Sequence, residues 1–208
     1  DEMRSAVQAI SLLTLIGYGC HRLSEIAARL GHPAGSLVRP LNHLIELGYV
    51  QREYPFGASA KSSKRTLYKL ADPFLRFYFR FVEPQRSRLE FGLHEQVLEE
   101  LLAGFSGYCA GIWEELARQA VPRLTAHGQR WKPAARWWGA GLDGKPLELD
   151  VVAESVDGMS VLVGEVKWGQ HAKKSRGLHG QLLEKARRCP ALQGRKIVTA
   201  CWLGGGGT

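Results

Sequence analysis

The sequence has only four cysteines, and no two of them form a Cys-x-x-Cys pair. This scarcity excludes a disulfide framework, a zinc knuckle and a thioredoxin-type redox motif. No run approaches the roughly 18 uninterrupted apolar residues of a membrane span. The first residues, DEMRSAVQAI, also lack the basic and then apolar pattern of a secretory signal. We therefore expect reduced thiols, no membrane partner and a cytoplasmic location.

The composition is that of an ordinary folded protein with an excess of positive charge. Of the 208 residues, 45% are hydrophobic and 23% are charged, which is enough to form a real core. The 28 Lys and Arg outnumber the 20 Asp and Glu, and the formal charge is +8. Such a charge is compatible with a polyanionic partner, although net charge alone defines neither fold nor activity.

The first helix predicted in the N-terminal half covers MRSAVQAISLLTLIGYG. Apolar residues recur there at three-residue steps, at Val7, Ile10, Leu13 and Ile16, and the pattern stops at two glycines. Ala6, Ala9 and Leu12 widen this stripe, which predicts a helix that packs on a core.

Two further helices follow at the spacing of a helix-turn-helix. Ser24 is placed to cap a short helix that Gly31 ends. The next apolar stripe predicts a helix over 34–47, with Leu37, Leu41, Leu44 and Ile45 on its buried face. Pro40 falls inside this helix, where we expect either a kink or a later start.

After these helices, two predicted strands enclose a polar loop in YVQREYPFGASAKSSKRTLYKL. Three helices and a basic hairpin predict a winged helix-turn-helix DNA-binding domain over 1–72. In such a domain the second helix of the pair enters the major groove and the hairpin contacts the phosphate backbone. The predicted DNA contacts are Ser36, Arg39, Asn42 and His43 in the groove, and Lys61, Lys64 and Arg65 on phosphates. The alternative is that the hairpin is a solvated loop and that the domain packs against a neighbouring one.

Residues 73–105 form an aromatic segment that includes ADPFLRFYFRFVEP. We interpret them as a helical connector, since they lack the Gly, Ser or Pro enrichment of a flexible linker. Phe74, Phe77, Tyr78 and Phe81 are expected to line a helix and to form a core between two domains. Stacking of these rings on bases is the alternative.

A β-hairpin is predicted in PLELDVVAESVDGMSVLVGEVKWG, because Asp157-Gly158 favours a two-residue type I′ turn. This turn sets Asp150 opposite Glu165, and Glu148 opposite Lys167. Strand side chains alternate between faces, so these four residues should share one face. The opposite face is then core, with Leu147, Leu149, Val151, Leu162 and Val166.

Two facing carboxylates repel each other unless a cation lies between them. Mg²⁺, or Mn²⁺ in its place, prefers oxygen ligands, and we expect Asp150 and Glu165 to bind it together with substrate phosphate and water. Lys167 projects the same way and would assist hydrolysis of a phosphodiester. The alternative is an ion pair between Glu148 and Lys167 with nothing bound.

The segments that flank the hairpin add further candidates. The upstream helix FSGYCAGIWEELARQAVPRL carries Glu114 and Glu115, one of which could reach the carboxylate pair. Downstream, a basic loop and helix supply candidate phosphate contacts at Lys173, Lys174, Arg176, Lys185, Arg187 and Arg188, with an ordinary solvated face as the alternative. The segment KIVTACWL predicts a last strand. A zinc site built from His171, His179 and Cys189 has no recognisable ligand spacing.

The order of these motifs resembles two known groups of proteins. An Asp, then Glu-x-Lys on a hairpin after a Glu-bearing helix resembles the PD-(D/E)xK nuclease superfamily. The resemblance implies Asp150, Glu165, Lys167 and Glu114 as the catalytic residues. Over 6–203, the succession of winged helix, LADPFLRFYFRFVEP, GIWEEL, RWWGAG, LELDVVAE and GEVKW resembles the C-terminal region of archaeal and bacterial AAA-type ATPases, a region of unknown function.

The resemblance implies an α+β protein in which a nuclease-like mixed sheet with flanking helices, over 106–204, follows the winged helix. It also implies attachment to an N-terminal ATPase domain in the intact protein. The chain itself has no P-loop, since its sole Gly-Lys is followed by Pro146, and nucleotide hydrolysis is not expected in it. We expect a DNA-binding protein with a Mg²⁺-dependent endonuclease domain. The alternative is a non-catalytic DNA-binding or regulatory module of an ATPase, or a winged-helix transcription regulator.

Overall fold

The computed structural model of the chain describes residues 2–59, 65–126, 128–169 and 177–205. These residues form an α+β protein that divides into two compact units. The first unit comprises 1–53 and 60–103, and the second comprises 54–59 and 104–208. The chain therefore passes from one unit to the other after residues 53, 59 and 103. In the described part of the chain, no helix combines the length and the hydrophobicity that crossing a membrane requires.

Three helices open the first unit: α1 (Glu2–Gly17), α2 (Leu23–Leu30) and α3 (Ala34–Glu46). As predicted, α2 ends at Gly31, which adopts the left-handed conformation with φ 64°. The predicted cap at Ser24 is wrong, because the N-cap is Arg22. The backbone N–H of Arg22 donates to the Glu25 carboxylate at 3.2 Å, so α2 begins before Ser24.

The third helix continues through Pro40, and the predicted later start is wrong. Pro40 has no N–H to donate to the Ser36 carbonyl, yet the buried leucines on either side keep the helix against the core. Leu37, Leu41 and Leu44 are buried, as the apolar stripe predicts.

The buried face of α1 is only part of the predicted stripe. Leu12 and Ile16 are buried, whereas Val7 is 62% exposed and Ile10 is 61% exposed. Steps of three residues drift around a helix of 3.6 residues per turn, so Val7 lies on the side opposite Ile16. The four-residue step from Leu12 to Ile16 stays on one face.

A two-stranded hairpin completes the winged helix, as the sequence predicts. β1 (Val50–Glu53) pairs antiparallel with β2 (Leu67–Leu70). Side chains from all three helices and both strands share one core with Phe79. The predicted contacts Lys61 and Lys64 lie outside the described residues.

The aromatic segment is not one regular helix. It consists of α4 (Pro73–Phe77), a π-helical turn (Tyr78–Val82), a 3₁₀ turn (Glu83–Gln85) and α5 (Arg86–Glu90). Phe79 is buried in the winged-helix core and Phe81 is buried as predicted, whereas Phe74 is 66% exposed. A Cβ on Gly17 would lie 2.4 Å from the Cβ of Phe79, which explains a glycine at that contact. The predicted apolar stripe through Phe74 is wrong.

A long helix, α6 (His94–Ala120), leads to the second unit. A small pair, β3 (Thr125–Ala126) and β4 (Gln129–Arg130), precedes a four-stranded sheet. The sheet strands and the remaining helix are β5 (Ala135–Ala140), β6 (Pro146–Glu154), β7 (Ser160–Trp168), α7 (Leu178–Arg188) and β8 (Lys196–Gly204). The order is β5-β6-β7-β8, with β8 parallel to β7 and the other pairs antiparallel. This is the mixed sheet that the sequence predicts.

Each face of the sheet is covered by a helix. On one face, Leu182 and Ala186 of α7 pack against Leu149, Val152 and Val163. On the other face, residues of α6 pack against residues of β6 and β7: Ala117, Val151, Ala153, Leu162 and Val166. The segment Tyr54–Ser59 also belongs to this unit, and the backbone N–H of Phe56 donates to the Arg136 carbonyl at 2.7 Å.

The hairpin register is confirmed over 151–154, although the predicted turn is wrong. The predicted pairs of Asp150 with Glu165 and of Glu148 with Lys167 lie beyond the end of this ladder. Val151 lies opposite Gly164, and Glu154 opposite Val161, as the sequence predicts. Instead of two residues, the loop spans 156–159 between Ser155 and Ser160, which pair through a 2.9 Å backbone hydrogen bond. The Asp157 carboxylate accepts from the Ser155 hydroxyl at 2.6 Å. Because the loop is longer by the same amount on both sides, the register does not change.

A β-bulge in β6 overturns the predicted division into faces. Ala135 of β5 lies opposite Val152, whereas Trp137 lies opposite Leu149, so β6 contains an extra residue between these pairs. Leu149 and Val152 consequently face α7, while Val151 faces α6. The five predicted core residues are all buried, but they lie on both faces of the sheet.

The histidine that follows α1 provides a pH-dependent stability prediction. His21 is half-buried, and its Nδ1 lies 2.9 Å from the Tyr68 carbonyl oxygen. Burial lowers the pKa of His21 below its ordinary 6.5 and outweighs that hydrogen bond. As pH falls through 6.5, the unfolded chain takes up this proton more readily than the folded chain, so the first unit loses stability. We expect the melting temperature of His21→Gln to fall less between pH 7.5 and 5.5 than that of the wild type. Equal slopes for the two proteins would contradict this assignment.

Candidate functional site

A buried carboxylate held by two lysines lies at the centre of the candidate site. Glu165, on β7, is 7% exposed. Its Oε1 lies 2.6 Å from Nζ of Lys167, and its Oε2 lies 2.8 Å from Nζ of Lys185 on α7. Burial alone would raise the pKa of Glu165, but the hydrogen bonds from the two lysines leave it below its ordinary value. Glu165 is therefore ionised in the folded protein at neutral pH.

The second carboxylate, Asp150, lies at the bulge in β6. Its Oδ2 accepts a hydrogen bond from the backbone N–H of Val166 at 2.9 Å, where the β6–β7 ladder has already ended at Val151 and Gly164. Burial is the main cause that raises the pKa of Asp150, and the negative charge of Glu165 adds to it. The hydrogen bond from Val166 and the positive charges of Lys185 and Lys167 lower the pKa again, but they offset the rise only in part.

Helix α6 contributes one acidic and one basic side chain, Glu114 and Arg118, which are about one helical turn apart. Burial and the Asp150 carboxylate raise the pKa of Glu114. Nη1 of Arg118 lies 3.7 Å from Oε2 of Glu114 and donates to the Asp150 carbonyl at 2.9 Å. Arg118 is only 8% exposed. This guanidinium therefore fixes the backbone of the bulge that presents Asp150.

The predicted alternative, an ion pair between Glu148 and Lys167, is wrong. Glu148 pairs with Arg136 of the neighbouring strand, and Lys167 pairs with Glu165. The bulge is the reason, because it turns Glu148 away from the face that carries Glu165 and Lys167.

The four residues predicted to be catalytic therefore belong to one charged cluster. Asp150 interacts electrostatically with Glu114 on one side and with Glu165 and Lys167 on the other. Lys185, which the sequence predicts as a phosphate contact, also belongs to it, as does Arg118, to which the sequence assigns no role. The sequence does contain an indication that Arg118 lies near Glu114, because it follows Glu114 by four residues in EELAR and so lies on the same helix face.

The donor set fits a hard divalent cation that is bound by few protein ligands. Among the described residues, no group of three or more His, Cys, Asp or Glu is arranged to hold a metal ion. Mg²⁺ commonly uses only one or two carboxylates and completes its shell with water and substrate phosphate. Asp150 and Glu165 supply two carboxylates, and a cation between them would reduce the repulsion by which Glu165 contributes to the raised pKa of Asp150.

Five of the DNA contacts predicted in the winged helix lie among the described residues. Arg39, His43 and Arg65 are exposed. The Ser36 hydroxyl donates to the Pro33 carbonyl at 2.7 Å, and the side-chain oxygen of Asn42 accepts from Arg52. Lys173 and Lys174, which were predicted to bind phosphates, lie outside the described residues, like the two lysines of the hairpin loop.

Comparison with known proteins defines the class of the N-terminal unit. Residues 7–53 match the sequence model of the IclR helix-turn-helix domain, so this unit contains a DNA-binding type of helix-turn-helix. Residues 78–178 match the family DUF234, described as archaeal and bacterial proteins of unknown function. The chain thus combines a winged helix with a region similar to that family.

One curated relative extends the similarity over most of the chain. Over 160 residues the chain is 31% identical to an uncharacterized protein of Methanocaldococcus jannaschii. The match covers 76% of the chain but 35% of the relative, so the chain spans about a third of that protein's length. No solved structure matches the chain significantly. The link to an AAA-type ATPase stays a prediction.

Proposed function

We propose that the chain is a DNA-binding, metal-dependent nuclease whose second unit hydrolyses a phosphodiester bond. The observation that carries this proposal is the cluster of Asp150, Glu165 and Lys167 on adjacent strands, with Glu114 on helix α6. Carboxylates and a lysine in this arrangement suit a reaction in which negative charge develops on a phosphate.

Each residue of the cluster has a distinct role in this proposal. Asp150 and Glu165 would hold Mg²⁺ or Mn²⁺, which when bound polarises the phosphodiester and lowers the pKa of a water molecule. Lys167 neutralises the charge that develops on the phosphate. Glu114, whose pKa burial raises, orients water beside Asp150. Arg118 holds the Asp150 backbone in place.

The winged helix would bring DNA to this site. In a helix-turn-helix the second helix lies in the major groove, which assigns the groove to α3 and its exposed Arg39 and His43. We also propose that the intact protein carries an ATPase domain before this chain. The M. jannaschii relative is long enough for further domains, because the match covers only 35% of it.

The direct test of the nuclease proposal is cleavage of labelled linear, branched and single-stranded DNA. We expect products with Mg²⁺ or Mn²⁺ and none after chelation with EDTA. Asp150→Asn, purified in parallel, should give no products and thereby excludes a contaminating nuclease. Products that persist in EDTA or in this variant would contradict the proposal.

A non-catalytic DNA-binding or regulatory module is the second candidate. The observation that favours it is that both oxygens of Glu165 already accept hydrogen bonds from lysines, at 2.6 and 2.8 Å. The site is therefore balanced in charge without a cation. DNA binding without cleavage of any substrate in the panel would favour this candidate.

DNA binding by α3 gives a separate prediction. Replacing Arg39 by Ala should weaken the affinity for duplex DNA about tenfold, because one cationic contact is lost. Fluorescence anisotropy over a series of salt concentrations measures both the affinity and its salt dependence. Arg123→Ala removes the same charge from an exposed position in the second unit and should bind DNA like the wild type. Equal losses in the two variants would mean that α3 does not read DNA.

A further inference from the structure

We propose that Lys185 is a phosphate-binding residue of the nuclease site. Before substrate and cation bind, the Lys185 ammonium is held by Glu165. This inference rests on the proposed nuclease function. It assigns the substrate phosphate a second lysine, one that comes from helix α7 instead of from the strand that carries Glu165 and Lys167.

The position of Lys185 follows from the packing of α7. Leu178, Leu182 and Ala186 form the buried face of this helix. Lys185 borders that face, so its stem runs along the sheet surface and its ammonium reaches Oε2 of Glu165 at 2.8 Å. The Lys185 side chain is 34% exposed, which leaves its ammonium accessible to a ligand from solvent.

The positive charge of Lys185 also acts on the other carboxylate. It lowers the pKa of Asp150, as the charge of Lys167 does. Lys185 therefore interacts with both proposed cation ligands, Asp150 and Glu165. It compensates the negative charge that a divalent cation would otherwise neutralise.

Charge balance indicates that Lys185 must move when the site is loaded. Two lysines already compensate the two carboxylates, Asp150 and Glu165. A divalent cation adds two positive charges, which repel both ammonium groups, and the phosphodiester adds one negative charge. Lys167 extends from the same strand as Glu165 and stays beside it. Lys185 is on a separate element and can turn from Glu165 to the phosphate.

The test combines equilibrium binding of Mn²⁺ with steady-state cleavage of DNA. Replacing Lys185 by Met removes a competing positive charge, so free Mn²⁺, measured by electron paramagnetic resonance without DNA, should bind about fivefold more tightly. The same variant lacks a phosphate contact, and its KM for DNA should rise about tenfold. A merely structural role would not move the two quantities in opposite directions.

Two control variants isolate the role of Lys185. Lys132→Met breaks an ion pair of the same kind, with Nζ 2.6 Å from Oε2 of Glu154, and should change neither quantity. Lys185→Arg keeps the positive charge, so its KM for DNA and its Mn²⁺ affinity should both be close to those of the wild type.

The outcomes separate this inference from the proposed function. A wild type that cleaves DNA, together with a Lys185→Met variant that keeps the wild-type KM or binds Mn²⁺ no more tightly, overturns the inference alone. A wild type that neither binds Mn²⁺ nor cleaves DNA overturns both proposals. Tighter Mn²⁺ binding with a raised KM supports the inference.

Discussion

Glu165→Gln should lower the rate of metal-dependent DNA cleavage by at least about a thousandfold. Glutamine keeps the shape of the side chain but removes the charge that holds a cation. It also leaves Lys167 and Lys185, at present 2.6 and 2.8 Å from the carboxylate, without an anion between them. Both lysines are about one-third exposed and can be solvated, so the fold should persist.

Single-turnover cleavage with excess enzyme measures this effect, and circular dichroism checks the fold. Glu148→Gln is the matched control, since Glu148 is a carboxylate of the same sheet that pairs with Arg136 away from Lys167. We expect this control to keep most of the activity. Comparable losses in the two variants would show that the effect is not specific to Glu165.

Gly164→Ala should reduce the free energy of unfolding by about 2 kcal/mol. Gly164 lies in the central strand β7, between Val151 of β6 and Ala200 of β8. A Cβ at this position would lie 2.3 Å from Cζ3 of Trp202 and 3.0 Å from the Cβ of Val151. The sheet pairs β7 on both sides, so the strand cannot move away and the indole ring must shift.

Thermal unfolding followed by tryptophan fluorescence should show a melting temperature lower by roughly 4–8 °C for Gly164→Ala. Gly111→Ala provides the comparison, because a Cβ at this position in α6 meets no atom within 4 Å. That substitution should stabilise the protein by about 0.5–1 kcal/mol, as alanine favours a helix interior over glycine. A Gly164→Ala protein as stable as the wild type would mean that Trp202 repacks without cost.

The elements that rest on local patterns could be predicted from the sequence. The helix stop at Gly31, the buried leucines of α3, and the register of the hairpin depend on neighbouring residues or on strand alternation. The hairpin register was right even though its turn is longer, because a symmetric change in loop length moves both strands equally. Local chemistry was therefore enough to place Asp150 near Glu165.

The residues that the sequence did not reveal depend on tertiary contacts. The bulge in β6 arises from pairing with β5, and no local motif marks it. Without the bulge, the regular alternation of side chains along β6 would place Glu148 on the face that carries Glu165 and Lys167, which is the wrong face. Arg118 was not predicted and Lys185 was predicted only as a general phosphate contact, because they join the site through helices from two separate parts of the chain that pack on opposite faces of the sheet. Their separation along the chain from Asp150 hides this from any spacing rule.

The segment Tyr54–Ser59 belongs to the second unit although the residues before and after it belong to the first, which affects how the protein can be divided into fragments. The backbone N–H of Phe56 donates a hydrogen bond to the Arg136 carbonyl in the second unit. In the sequence, however, Phe56 lies between β1 and β2 of the winged helix. A fragment that ends after the winged helix takes Phe56 away from its acceptor, and a fragment that starts at residue 104 leaves the Arg136 carbonyl without its donor. Because the two units alternate along the chain, a fragment keeps this hydrogen bond only if it contains residues of both units.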